Sequence, residues 1–105
     1  MSSASAVRYH GRLEVTEAAD DLRRKHRRTL EAVFTDPVLA SIKWNDIEAL
    51  FEALGATISE GSGARVHVEI GERWATFHRP HPQKETDRGA VRSVRRFLTN
   101  AGVSP

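Results

Sequence analysis

The chain has 105 residues, 16 Lys and Arg against 14 Asp and Glu, a formal charge of +2 and no cysteine. That length suits one domain with a modest two-layer core, and so small a net charge does not by itself announce a nucleic-acid binder. The lack of cysteine excludes a disulfide framework, a thiolate nucleophile and a Cys-based zinc site.

No apolar run approaches the ~20 residues of a membrane span, and the start "MSSASAV" lacks the apolar core of a secretion signal. A soluble, cytoplasmic protein with no membrane association is expected. The charge is unevenly placed. From Met1 to Ala64 ten acids face eight bases, whereas from Arg65 to Pro105 eight bases face four acids. The basic character therefore lies in the C-terminal part.

Residues 1–12 have no sustained periodicity and read as a loose N-terminal arm. Residues 13–40 read as an accessory helix and linker. Thr16 is a candidate cap, Glu17, Asp20 and Asp21 suit the N-terminal end, and Arg23 to Arg28 suit the C-terminal half. Leu22, Leu30, Val33 and Phe34 are its sparse apolar positions, and Pro37 predicts an end near "FTDP". The run "RRKHRR" is flanked by acids, which fits a solvated helix face, with binding of a partner protein or RNA as the second account.

The compact domain is expected over residues 41–105. In "SIKWNDIEALFEALGA", Trp44, Ile47, Leu50, Phe51 and Leu54 recur at spacings of three and four, so they share one helical face, and Gly55 is placed to stop the helix. A short strand is predicted over Ala56 to Ser59, followed by the turn "EGSGA". Arg65–Ile70 and Arg73–His78 flank Gly71-Glu72, and Gly in the first place of a two-residue loop favours a type II′ hairpin.

That turn fixes the expected register: Ile70 opposes Arg73, Val68 opposes Ala75, His67 opposes Thr76 and Arg65 opposes His78. Val66, Val68, Ile70, Ala75 and Phe77 then make the apolar side, and Arg65, His67, Glu69, Trp74, Thr76 and His78 share the other. The connection "RPHPQKETD" is irregular, because Pro80 and Pro82 keep it open. A closing helix follows, capped by Thr86 or Asp87, with Ala90, Val91, Val94, Phe97, Leu98 and Ala101 as its buried stripe and Gly102 as its stop. The fold class is α+β: a three-stranded antiparallel sheet with two helices on one face and an additional N-terminal helix.

Over Ile42 to Val103 the sequence resembles the HicA family, toxins of bacterial toxin-antitoxin systems. The likeness is carried by Phe51 and Gly55 in the helix phrase, Gly61-Ser62 in the turn, His81 with Lys84-Glu85, and Gly89, Ser93 and Gly102 in the closing helix. It implies a double-stranded-RNA-binding-like α-β-β-β-α fold, endoribonuclease activity on mRNA, and a HicB-type antitoxin as protein partner. It also implies a catalytic histidine directly after the Gly-Ser turn. Here that position is Gly63, followed by Ala64, so catalysis is not carried over at that residue.

RNA cleavage without a metal needs a base for the 2′-OH proton, an acid for the departing 5′ oxygen, and cations on the phosphate. Histidine suits both proton roles. The register offers His67 and His78 as catalytic candidates, with Arg65 beside them. An exposed polar sheet face is the structural alternative. Arg65, Arg73, Arg79, His81, Lys84, Arg88 and Arg92 are the candidate RNA contacts, near a helix start whose N–H groups favour anions. Trp74 is a candidate stacking platform, or a residue covered by the N-terminal helix.

His78 and His81 form a His-x-x-His pair, yet Pro80 lies between them and no third ligand is in view, so no metal or other cofactor is expected. Two functions from different classes remain open on the residues: a toxin-type endoribonuclease masked by an antitoxin, and a noncatalytic RNA-binding or partner-binding module on the same fold.

Overall fold

A computed structural model describes residues 22–81 and 83–105. Its elements run α1 (Arg24–Val33), α2 (Trp44–Ala53), β1 (Thr57–Glu60), β2 (Arg65–Ile70), β3 (Arg73–His78) and α3 (Arg88–Asn100). The α+β expectation holds. The strands form one antiparallel sheet in the order β1-β2-β3, consistent with a double-stranded-RNA-binding-like domain carrying an extra N-terminal helix. The expected arm at 1–12 and the cap at Thr16 lie outside the described residues; within them the accessory helix starts at Arg24, so Arg23 to Arg28 make its N-terminal end rather than its C-terminal half.

The two domain helices end as their glycines require. Gly55 and Gly102 both sit at φ 84°, a left-handed conformation that costs glycine little. Beyond each, the chain folds back in a Schellman motif: the N–H of Ala56 donates to the carbonyl of Phe51 at 3.0 Å, and that of Val103 to the carbonyl of Leu98 at 2.8 Å. The first of these bonds explains the one shift among the predicted strands. Ala56 is committed to closing α2, so β1 covers Thr57–Glu60 rather than Ala56 to Ser59. At the start of α3, Asp87 is the cap, its carboxylate accepting from the N–H of Ala90 at 2.9 Å.

The hairpin register agrees with the expectation at every pair, from Ile70 opposite Arg73 to Arg65 opposite His78. Gly71 has φ 59°, and no non-glycine residue among those described has positive φ, which is the requirement of a type II′ turn. Val66, Val68, Ile70 and Phe77 face inward and are buried.

Against them pack Trp44, Ile47, Leu50 and Phe51 of α2 and Val91, Val94, Phe97 and Leu98 of α3, all buried. Four aromatic rings meet at the centre: Phe51 lies 5.7 Å from Phe77 and 5.9 Å from Phe97, and Trp44 lies 5.9 Å from Phe77. Edge-to-face and offset geometries of this kind add to the apolar burial itself.

The accessory helix α1 packs against α2 and α3. Leu30 and Val33 enter the same core. Arg95 of α3 holds its C-terminal end: Nε donates to the carbonyl of Val33 at 3.0 Å, an Nη to that of Thr35 at 2.8 Å, and the guanidinium lies 5.9 Å from the centre of the Phe34 ring. These donors satisfy carbonyls left open where a helix ends.

Candidate functional site

Strand alternation, which buries one side of the hairpin, puts Arg65, His67, Glu69, Trp74, Thr76 and His78 together on the other, all exposed. Trp74 is 70% exposed, so α1 does not cover it. The β1 register adds Thr57 opposite Glu69 and Ser59 opposite His67 on the same face.

His67 is the most constrained of the candidate catalytic groups. Its Nδ1 lies 2.8 Å from the hydroxyl of Thr76, its cross-strand partner. The rest of the ring lies over Gly61, where an added Cβ would come within 2.7 Å of Nε2. The missing side chain at Gly61 thus makes the seat for this histidine. With Nδ1 engaged by Thr76, Nε2 is the nitrogen left for proton transfer. His78, one register step away diagonally, pairs across the strands with Arg65.

The turn preceding β2 has its own logic. The N–H of Arg65 donates to Ser62 at 3.2 Å and that of Gly61 to Arg65 at 2.9 Å, with Gly63 between them at φ 64°. A side chain at position 63 would be strained on this backbone.

The candidate cations are dispersed. Arg65 joins the histidines. Arg73 sits at the hairpin tip, about 17 Å along the strand from His78. Arg79 is drawn to the side of the sheet: its Nε donates to Glu48 at 2.6 Å, a terminal nitrogen reaches the same carboxylate at 3.1 Å, and the other contacts Glu60 at 2.9 Å. Glu48 also accepts from the indole N–H of Trp44. The hydrogen bond to Glu48 first, and that to Glu60 second, hold the Arg79 guanidinium above its ordinary pKa. Two carboxylates thus flank this charge, which ties α2 to both β1 and the end of β3.

His81 is exposed, and its Nδ1 accepts from the N–H of Gln83 at 3.2 Å. Arg88 donates to the carbonyl of Val38 at 3.3 Å, and Arg92 is exposed on α3. Lys84 is exposed while its backbone is fixed, because its carbonyl accepts from Trp44 at 3.1 Å and the neighbouring Thr86 N–H donates to Ile42 at 2.7 Å. Among the described residues no group of three or more His, Asp or Glu side chains is placed to hold a metal ion.

A cavity of about 470 Å³ opens between edge strand β3 and the start of α3. Thr76 and His78 form the wall shared with the outer sheet face, and Lys84, Thr86 and Ser93 contribute from the opposite side. The Thr86 hydroxyl is buried without a hydrogen-bond partner. Neither this cavity nor the Gly61 seat is visible in the sequence: the cavity depends on how distant segments are stacked, and the seat on the fold of the turn from Gly61 to Arg65.

The architecture and the polar sheet face define a small α+β domain with a hairpin-borne histidine pair. Residues 44–103 match the family of HicA toxins of bacterial toxin-antitoxin systems, and the chain belongs to that family. No curated protein and no solved structure matches it significantly. No helix among the described residues is long and apolar enough to cross a membrane.

Proposed function

We propose that the protein is a toxin-type endoribonuclease that cleaves mRNA without a metal ion and is neutralised by a HicB-type antitoxin. The observation that carries the reading is the family match across 44–103 combined with His67, its Nδ1 paired to Thr76, on an exposed face beside His78 and Arg65. In this mechanism His67 Nε2 takes the 2′-OH proton while the 2′ oxygen attacks the adjacent phosphorus. His78 protonates the departing 5′ oxygen, giving a 2′,3′-cyclic phosphate and a free 5′-hydroxyl end. Arg65 neutralises the phosphate. The same exposed face is the surface an antitoxin would cover to silence the enzyme.

Gly63, at φ 64° where the family's histidine is expected, favours one second reading: a noncatalytic RNA-binding or partner-binding module. Purified protein incubated with an mRNA transcript in chelator separates the two. We expect cleavage, reduced about 10²–10⁴-fold in His67→Ala and in His78→Ala made separately. Gly61→Ala, which pushes the His67 ring from its seat, should lose activity with little loss of fold. Full cleavage by both histidine variants would end the mechanism built on His67 and His78. RNA binding without cleavage by folded wild type would establish the module instead.

A further inference from the structure

Proton transfer on the outer face leaves the β3–α3 cavity unexplained. We propose that this cavity is a base-binding subsite that accepts one unstacked nucleobase of single-stranded RNA, an inference that rests on the ribonuclease reading above. Its volume of about 470 Å³ falls within the range of about 300–1,000 Å³ typical of small-molecule sites. It is also preformed. The segment carrying Lys84, Glu85 and Thr86 is pinned to the start of α2 by the Trp44-to-Lys84 and Thr86-to-Ile42 backbone bonds, which together make an antiparallel β-bridge between Lys43 and Glu85.

The lining chemistry selects among ligands. Phe77, Pro80 and Ala90 offer apolar surface, while Lys84 and the carboxylates of Glu85 and Asp87 offer donors and acceptors. A bare phosphate would meet two carboxylates, and a purely apolar ligand would meet three charges. A nucleobase has flat apolar faces and an edge carrying both donors and acceptors, which matches the mixture.

Thr86 lines the cavity but is only 1% exposed, its hydroxyl closed off within the wall. Position completes the case. The wall includes Thr76, which holds His67, and His78, so a base inserted here brings its own sugar-phosphate close to the histidine pair. A base stacked within a duplex cannot enter without being extruded, so the cavity prescribes an unpaired substrate.

The test uses full-length protein and a 2′-O-methyl oligonucleotide that resists cleavage, with a series in which each position in turn is abasic. Ser93→Phe, at an exposed helix position on the cavity wall, fills the space while leaving both histidines in the chain; Ala90→Leu is the second variant should the first not fold. Wild type should lose about tenfold in affinity when one particular position is abasic, the scale of one base contact. The filled variant should bind the intact strand about tenfold more weakly and be indifferent to the abasic change. Equal binding of intact and all abasic strands by wild type, or unchanged abasic sensitivity in the filled variants, would overturn the subsite while leaving RNA binding intact. Binding of a blunt duplex as tightly as the single strand would overturn it too. No affinity of folded wild type for any single strand would overturn the RNA reading itself.

Discussion

The two faces of the same hairpin form the most instructive contrast in the molecule. Inward, Val66, Val68, Ile70 and Phe77 are buried against two helices. Outward, the intervening residues include two histidines and a tryptophan that is 70% exposed. Identical backbone and identical strand pairing support both. The inner face is explained by apolar burial alone, whereas nothing in the core requires an indole and two imidazoles on the outer one. The outer face is therefore where function is to be sought, and substitutions on the two faces should fail differently.

The largest effect is expected inside. Phe51 is fully buried and touches the rings of Trp44, Phe77 and Phe97. Phe51→Ala should cost about 3–5 kcal/mol through lost burial and a residual cavity. Natural domains hold only about 5–15 kcal/mol in total, so chemical denaturation should find this variant close to unfolding. A loss below about 1 kcal/mol would mean that the inner face is not the tight core described.

An intermediate effect is expected where the two faces meet at the side of the sheet. Glu48 receives both Arg79 and the Trp44 indole, and the Arg79 and Glu48 side chains are 25% and 19% exposed. Glu48→Ala should destabilise by about 1–3 kcal/mol, because it leaves the indole N–H without its acceptor and removes one of the two carboxylates on a partly buried guanidinium. The folded-state pKa of Arg79 is raised above its unfolded value. Its contribution is thus fully present below the unfolded value and disappears only as pH rises through the folded one, far into the alkaline range. Between about pH 6 and 9 the arginine adds no slope to the stability curve. A stability difference between wild type and Glu48→Ala that falls steadily on raising pH across that window would contradict the assignment.

How much of this was legible beforehand follows from the range of each interaction. Gly55, Gly71 and Gly102 signal their turns locally, and the period-two alternation with a two-residue loop determines which side chain faces which way. Trp44, Leu50 and Phe51 likewise declare a helix face by spacing. The Arg79 clamp joins residues 31 and 19 positions apart in the chain, and no local pattern marks it. The seat of His67 needs the fold of the turn from Gly61 to Arg65, where two hydrogen bonds place a glycine beneath the ring. The cavity exists only because the connection before α3 pairs with the entry to α2. Periodicity reveals faces; it does not reveal what a neighbouring segment lays against them.

The smallest effect on stability, and the sharpest test of the contrast, belongs to Trp74. An aromatic residue of the same size class as Phe51 is here mostly in water, so Trp74→Ala should change unfolding free energy by no more than about 0.5 kcal/mol. Its effect on RNA should be larger, since removing one base-stacking aromatic weakens single-strand binding by about 1–3 kcal/mol, measured as affinity for an uncleavable oligonucleotide. A destabilisation comparable to that of Phe51→Ala would show the outer face to be a packing surface. Neutrality in both stability and RNA affinity would remove the indole from the RNA path. Because the side chain lies on the exposed face and on an edge strand, the two measurements together decide between packing and recognition, which sequence alternation alone leaves equivalent.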